Sequence, residues 1–254
     1  MAGPVFTGVG VALVTLFRDD GEVDAAATAE HAARLVDLGL KAVVVAGSTG
    51  EAASLSLEDR RALVQAVRGA VSTVPVIAGT GAASAKQAAV LTAAACADGA
   101  DAVLALSPPG SGDVRPYYDV VAAAAGDVPL LAYHFPAVSP PGFPIDVLLD
   151  LPVQGCKDSS GSADRLLETR DTWGGPLYVG SSALLALAGP LGCAGAILAL
   201  ANAEPERCMQ AFEGDALAQL ALAGPHRRGA ARFPAGIKEL TAARFGTSTA
   251  MRMG

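Results

Sequence analysis

Eight short apolar runs recur along the chain, at residues 9–16, 42–46, 74–79, 102–106, 129–133, 153–156, 177–179 and 194–201, each bounded by Gly, Pro or Ser. A run that stays apolar instead of alternating is the mark of a strand buried on both faces, as in a parallel sheet covered by helices. Segments with helical spacing lie between the runs. Asp24 can cap one that reaches Leu38, Ser56 with Asp59 forms a capping-box pattern before the next, and Ser84 with Gln87 repeats that pattern before a third. Parallel neighbours require crossover connections, which right-handed βα units supply. Eight such strands predict a (β/α)8 TIM barrel. The rival is an open doubly wound sheet, whose glycine fingerprint should follow the first strand. The nearest match, GTGAAS (79–84), follows the third and lacks the last glycine.

Helical spacing resumes over 204–212 and 234–245, and no linker rich in Pro, Ser or charge divides the chain. The expectation is a single domain over 1–254, with the barrel over 6–214 and a short C-terminal helical tail over 215–254. Apolar residues make up 52% and charged residues 17% of the chain, so it can bury a core and is not a disordered sequence. A net charge of −7 lacks the basic field of a nucleic-acid binder. The four cysteines and three histidines are scattered, so neither a disulfide framework nor a zinc site is signalled, and a reducing cytoplasm is expected. The apolar N-terminal stretch has no basic residue ahead of it, which argues against a signal peptide. Residues 172–203 carry no charge and are long enough to raise a membrane span. Gly189-Pro190, Gly192, Gly195 and the polar Asn202 interrupt them, so a buried strand–helix–strand passage is expected and no membrane.

Barrel chemistry belongs at the C-terminal ends of the strands. The polar residues at those ends are Thr15, then Ser48, Thr49 and Glu51, then Thr80 and Ser107; later strands add Tyr133, Lys157, Ser181 with Ser182, and Asn202. Lys157 is the one cation among them, and no histidine pair or carboxylate trio offers to hold a metal, so neither metal nor cofactor is expected. A lysine amine reacts only when deprotonated, and burial in a barrel mouth disfavours the ammonium form. Condensed with a 2-oxo acid, the amine becomes an iminium that draws electrons from the adjacent carbon and allows a C–C bond to break or form. The phenol of Tyr133, one strand away, is placed to relay the proton. The loop GSTGE (47–51) offers hydroxyl and N–H donors for the acid's carboxylate. Each residue also has a plainer reading. Lys157 could be a solvated strand-end charge paired with Asp158, Tyr133 amphipathic packing, GSTG an ordinary turn, and His134 a structural histidine.

Three motifs together are more specific. GSTGE (47–51), YHFPA (133–137) and GCKDSSG (155–161) resemble, in order and spacing, the motifs G-[ST]-T-G-E, Y-x-x-P and G-x-K-x-[ST]-[ST]-G of the pyruvate-dependent class I aldolase family of N-acetylneuraminate lyase and dihydrodipicolinate synthase. VPVIAGTG (74–81) agrees as well, and the likeness runs over residues 6–203. The resemblance implies a Schiff-base lyase in which Lys157 is the nucleophile and Tyr133 the proton relay. Gly47, Ser48 and Thr49 would hold the carboxylate, and Gly180, Ser181 and Ala199 would line the substrate site. Its partners would be a small 2-oxo acid and an aldehyde, its assembly a homo-oligomer, dimer or tetramer. Dihydrodipicolinate synthase itself is the alternative activity. A non-catalytic barrel that binds a 2-oxo acid for regulation is an alternative of another class, and a phosphate-binding barrel enzyme would rest on GSSA (180–183) alone.

Departures from the family pattern set further questions. The family shows T-P-[YF]-[YF] after its fourth strand, where this chain reads SPPGSGD (107–113). RPYYD (115–119) lies too late for the role to pass to Tyr117 or Tyr118. Val138 stands where dihydrodipicolinate synthase carries an arginine for its aldehyde, leaving Arg115 or a neighbouring subunit as the possible source of a cation. GSSA replaces a sequence in which an acid often follows the glycine, and the C-terminal helices are expected to be reduced.

Overall fold

A computed structural model describes residues 3–253, and the pairing of its strands is that of a closed barrel in chain order. The strands are β1 (Gly8–Ala12), β2 (Val43–Val45), β3 (Val76–Gly79), β4 (Ala102–Leu106), β5 (Leu130–His134), β6 (Gly155–Asp158), β7 (Leu177–Val179) and β8 (Gly195–Leu198). Each of the eight apolar runs overlaps one. The helices are α1 (Ala25–Asp37), α2 (Leu57–Ala70), α3 (Ala85–Ala97), α4 (Arg115–Ala125), α5 (Ala163–Thr172), α6 (Leu185–Ala188), α7 (Pro205–Phe212), α8 (Ala216–Ala231) and α9 (Ala235–Phe245). The protein is thus a (β/α)8 TIM barrel with C-terminal helices.

The start signals work locally as the sequence implies. Asp24 accepts from the Ala27 N–H, and the Ser56–Asp59 box is reciprocal, with bonds of 3.1 and 3.0 Å. Ser84 caps α3 through Gln87 N–H, but only half the box forms; the Gln87 side chain stays exposed to water, which satisfies its amide. The uncharged passage 172–203 is β7, α6 and β8, as expected. Among the described residues no helix is long and apolar enough to cross a membrane, and all four cysteines are free thiols.

Strand parity divides the core in two. Val43, Val45, Val103, Ala132, Cys156 and Leu198 face outward and pack under the helices. Ala42, Val44, Ile77, Leu104, Leu131 and Ile197 face inward. Phe6 and Tyr178 belong to the inner cluster and stack at 4.7 Å between centroids. The Tyr178 hydroxyl donates to Phe6 O at 3.0 Å and accepts from Phe6 N–H, so the N-terminal segment is tied into the barrel interior. Gly195 makes room for this packing at the seam where β8 meets β1: a Cβ there would strike the Gly8 carbonyl oxygen and lie 3.2 Å from both aromatic rings.

Gly195→Ala is therefore expected to lower stability by roughly 1–3 kcal/mol through overpacking. Val90→Ala, on the exposed face of α3, should stay within about 0.5 kcal/mol. Urea unfolding of the two variants checks both values.

Candidate active site

The alternation of β5 and β6 decides which polar groups enter the barrel. Tyr133 pairs in register with Lys157, and their outward neighbours His134 and Asp158 pair with each other. Asp158 thus points away from the Lys157 amine. It forms an ion pair with Arg165 at 2.6 Å instead, and Arg165 also donates to Phe143 O. His134 Nδ1 accepts from Phe143 N–H at 3.1 Å, and burial, with Arg165 adding repulsion, lowers its pKa to about 4. The ion-paired reading of Lys157 therefore fails, and His134 is structural.

Lys157 is 4% exposed and borders a cavity of about 540 Å³. Its Nζ lies 4.2 Å from the centre of the Tyr133 ring and has no salt bridge or hydrogen bond among the described residues. Ser159 Oγ stands 3.5 Å from the Tyr133 hydroxyl. Ser159 can sit there because residue 180 is glycine; a Cβ on Gly180 would collide with the serine hydroxyl. Thr49, Gly180, Ser181 and Ala199 border the same cavity, so six of the eight residues singled out in the sequence meet around one space. Gly47 and Ser48 occupy the turn that carries Thr49 and do not line the cavity themselves.

That turn is held in a costly backbone conformation. Ala46 and Glu51, at its two ends, are the two non-glycine residues with positive φ among the described residues (52° and 57°). Surrounding contacts hold it. Thr15 Oγ1 donates to Gly50 O at 2.8 Å, and Arg60 bonds both Ala52 O and Gly79 O. The Glu51 carboxylate, fully buried, pairs with the equally buried Lys238 of α9 at 2.6 Å and accepts the N–H groups of Arg252 and Met253. Lys238 also donates to Ala250 O at 2.6 Å. Burial pushes the Lys238 pKa down, and Glu51 opposes that shift. The turn's first two N–H groups, on Ser48 and Thr49, make no backbone hydrogen bond among the described residues, which leaves them available to an anion.

The remaining strand-end residues have structural roles. Asn202 ties Val14, Ala12 and Ala199 together, and Thr80 and Ser107 are buried outside the cavity. Tyr117 donates to Leu106 O, while Tyr118 donates to Ala105 O and accepts from Tyr133 N–H, so both phenols brace β4 and β5 and neither lines the cavity. Arg115 is committed to Asp113 and Asp150 and does not line the cavity near Val138. The C-terminal helices build a further wall that no sequence motif marks. His226, Gly229 and Ala230 come from α8, Ile237 comes from α9, and Phe233 lies between them, with its ring 6.4 Å from that of Phe135.

Residues 5–242 match the model of the dihydrodipicolinate synthetase family. The chain is 36% identical over 217 residues to an uncharacterised DapA-like lyase of Halobacterium salinarum, covering 81% of this chain and 71% of the relative. It is 33% identical over 230 residues to the 4-hydroxy-tetrahydrodipicolinate synthase of Natronomonas pharaonis, covering 85% and 78%. The crystal structure of a chloride-inhibited dihydrodipicolinate synthase from Acinetobacter baumannii complexed with pyruvate superposes with a TM-score of 0.89 at 26% identity, covering 98% of this chain and 92% of that one.

Breaking the buried Glu51–Lys238 pair from one side should cost about 3–5 kcal/mol, because it strands a charge away from water. Lys238→Met is expected to show that loss in urea unfolding. The double variant Glu51→Gln/Lys238→Met should recover part of it, since neither charge remains.

Proposed function

Because the chain belongs to the dihydrodipicolinate synthetase family, whose enzymes are class I aldolases that make or break carbon–carbon bonds, we propose that it is a pyruvate-dependent lyase working through a Schiff base on Lys157. The observation that carries this reading is a buried amine without an ionic partner, 4.2 Å from a tyrosine ring and open to a cavity. The free amine of Lys157 adds to C2 of the 2-oxo acid, and Tyr133 passes the proton that turns the carbinolamine oxygen into leaving water. The resulting iminium accepts the electron pair of the bond at C3, giving an enamine in cleavage or an attacking carbon in addition. The substrate carboxylate meets Thr49 through its hydroxyl and N–H, with Ser48 behind it in a turn whose conformation is fixed before substrate arrives. Gly47 leads into that turn in extended backbone, and Gly180, Ser181 and Ala199 form the wall along the substrate. A regulatory barrel without catalysis would have no need of an unpaired amine beside a phenol.

The aldehyde partner is neutral in this reading. Among the described residues no guanidinium and no carboxylate borders the cavity; Phe135, Val138 and Phe233 make its outer part apolar. The N. pharaonis relative is named a 4-hydroxy-tetrahydrodipicolinate synthase, but this chain offers no arginine at residue 138 for a charged aldehyde, and Arg115 is occupied elsewhere. Family members are typically oligomeric, and we extend a homotetramer to this chain. Its place of action is taken to be the cytoplasm, in keeping with the free thiols.

Borohydride added with pyruvate should fix a covalent adduct on the peptide bearing Lys157, read by mass spectrometry. Lys157→Arg should form none, because a guanidinium stays protonated. An adduct on another residue, or none in the parent protein, would refute the mechanism. For substrate choice, loss of one charge-assisted hydrogen bond, about 1.5–3 kcal/mol, predicts kcat/KM for aspartate semialdehyde about ten- to over a hundredfold below that of the better neutral aldehydes. A clear preference for aspartate semialdehyde would instead assign the synthase activity.

A further inference from the structure

The cavity holds one more group able to exchange a proton near neutral pH, and the reaction at Lys157 does not use it. His226, on α8, borders the cavity, and its Nδ1 lies 2.9 Å from the hydroxyl of Ser182, which borders it too, just beyond β7. The pair is fixed from behind. Gln219, two turns earlier on α8, donates to Ser182 O at 2.9 Å and accepts from Ala186 N–H at 3.0 Å, so the segment carrying Ser182 is fastened to the helix carrying His226. Ser182 is 5% exposed, and its hydroxyl meets the ring edge at Nδ1. The other ring nitrogen, Nε2, makes no hydrogen bond among the described residues. Burial first, and then Arg227, lower the pKa of His226, which favours the neutral ring. Lys157, Tyr133 and His226 are the titratable residues that border the cavity.

We propose that His226, anchored by Ser182, is a catalytic residue that takes the proton of the substrate's aldol hydroxyl in cleavage and returns it in addition. This rests on the Lys157 lyase reading and assigns the carbon–carbon step of that reaction to a group outside the three sequence motifs. The step uses the tautomer in which Nδ1–H donates to Ser182 Oγ, so that Nε2 carries the free lone pair. In cleavage, Nε2 takes the proton from the C4 hydroxyl, the C3–C4 bond breaks, and its electron pair moves through C3 and C2 to the iminium nitrogen. The products are a neutral aldehyde, an enamine on Lys157 and an imidazolium. In addition, the enamine carbon attacks the aldehyde and the imidazolium protonates the new alkoxide. Tyr133 remains free to serve the carbinolamine steps at C2. The anchoring also explains the choice of partner: an imidazole and a serine hydroxyl beside aromatic and aliphatic walls suit an aldehyde with an uncharged substituent.

The test separates the two half-reactions. His226→Asn keeps an N–H that can reach Ser182 but removes the base; His226→Ala opens space for added imidazole. With pyruvate alone, both variants should still give the borohydride adduct on Lys157 and exchange the C3 hydrogens of pyruvate in D2O at rates within about threefold of the parent. With pyruvate and a neutral aldehyde, kcat should fall about 100-fold or more, the scale of general acid–base catalysis, while KM for pyruvate holds. Imidazole in solution should restore a dose-dependent part of the His226→Ala turnover, which a purely structural role would not allow. Turnover within threefold of the parent in His226→Asn, or trapping and exchange falling in step with turnover, would overturn the assignment. If the parent protein itself forms no adduct with pyruvate, the Lys157 reading fails first and this one falls with it.

Discussion

Closure of a sheet of parallel strands leaves no edge and no wet face, so each strand residue points either into the barrel or under a helix. In β5 and β6 this rule separates groups that are adjacent in sequence. Tyr133 and Lys157 turn inward, while His134 and Asp158 turn outward to Phe143 and Arg165. An Asp next to a reactive lysine would hold the ammonium form if both faced the same way. The two-residue period keeps them apart. The alternation that sorts the apolar core thus also leaves the amine without a counter-ion, and the outward pair ties β6 to α5 through Arg165.

A second constraint lies at the GSTGE turn. Two non-glycine residues in left-handed backbone geometry cost of order 1–3 kcal/mol each, and such geometry persists only where neighbours fix it. The neighbours here come from distant parts of the chain: Thr15 after β1, Arg60 in α2, Lys238 in α9 and the N–H groups of residues 252 and 253. The C-terminal helices are therefore more than an appendage to the barrel. One face of α9 buries the cation that steadies the carboxylate turn, and α8 closes the cavity with His226 and Gly229. A turn fixed in this way can present its N–H groups to a carboxylate without first paying to order them.

The strands and the inward placement of Tyr133 beside Lys157 were legible in the sequence because both follow local rules. Unbroken apolar runs mark strands buried on two sides, and the three motifs lie at strand ends, where side-chain direction follows from parity. What could not be read depends on contacts between segments far apart in the chain. Helix α8 went unassigned because Gly224-Pro225 reads as a break, yet the helix continues through a buried Pro225. Proline removes one N–H donor, and packing of that face can offset the loss. Glu51 is legible as a strand-end polar residue and as part of a motif, but nothing near it in sequence points to Lys238, which sits in a run of helix formers like any solvated lysine. His226 was one of three scattered histidines until α8 brought it against Ser182. The refusal to give Tyr117 or Tyr118 the family's aromatic role agrees with their positions, since both hydroxyls are used on strand carbonyls.

The charge balance of the cavity ties these features together. Among the described residues an amine, a phenol, an imidazole and several hydroxyls border it, and no carboxylate does. With no carboxylate of its own among the described residues of the cavity wall, the site has one anion to accommodate in the proposed reaction, the carboxylate of the 2-oxo acid. That anion is met by dipoles instead of by a second cation, which could rival Lys157 for the carbonyl carbon or hold the acid in the wrong orientation. In the proposed reaction the iminium and the substrate carboxylate are carried on adjacent carbons, so their opposite charges largely cancel. A cavity lined this way needs little further charge to carry the reaction through. Selection among aldehydes is then left to shape and to the uncharged polar groups beyond C3, which is where β7 and α8 contribute and where this chain departs from its family's sequence pattern.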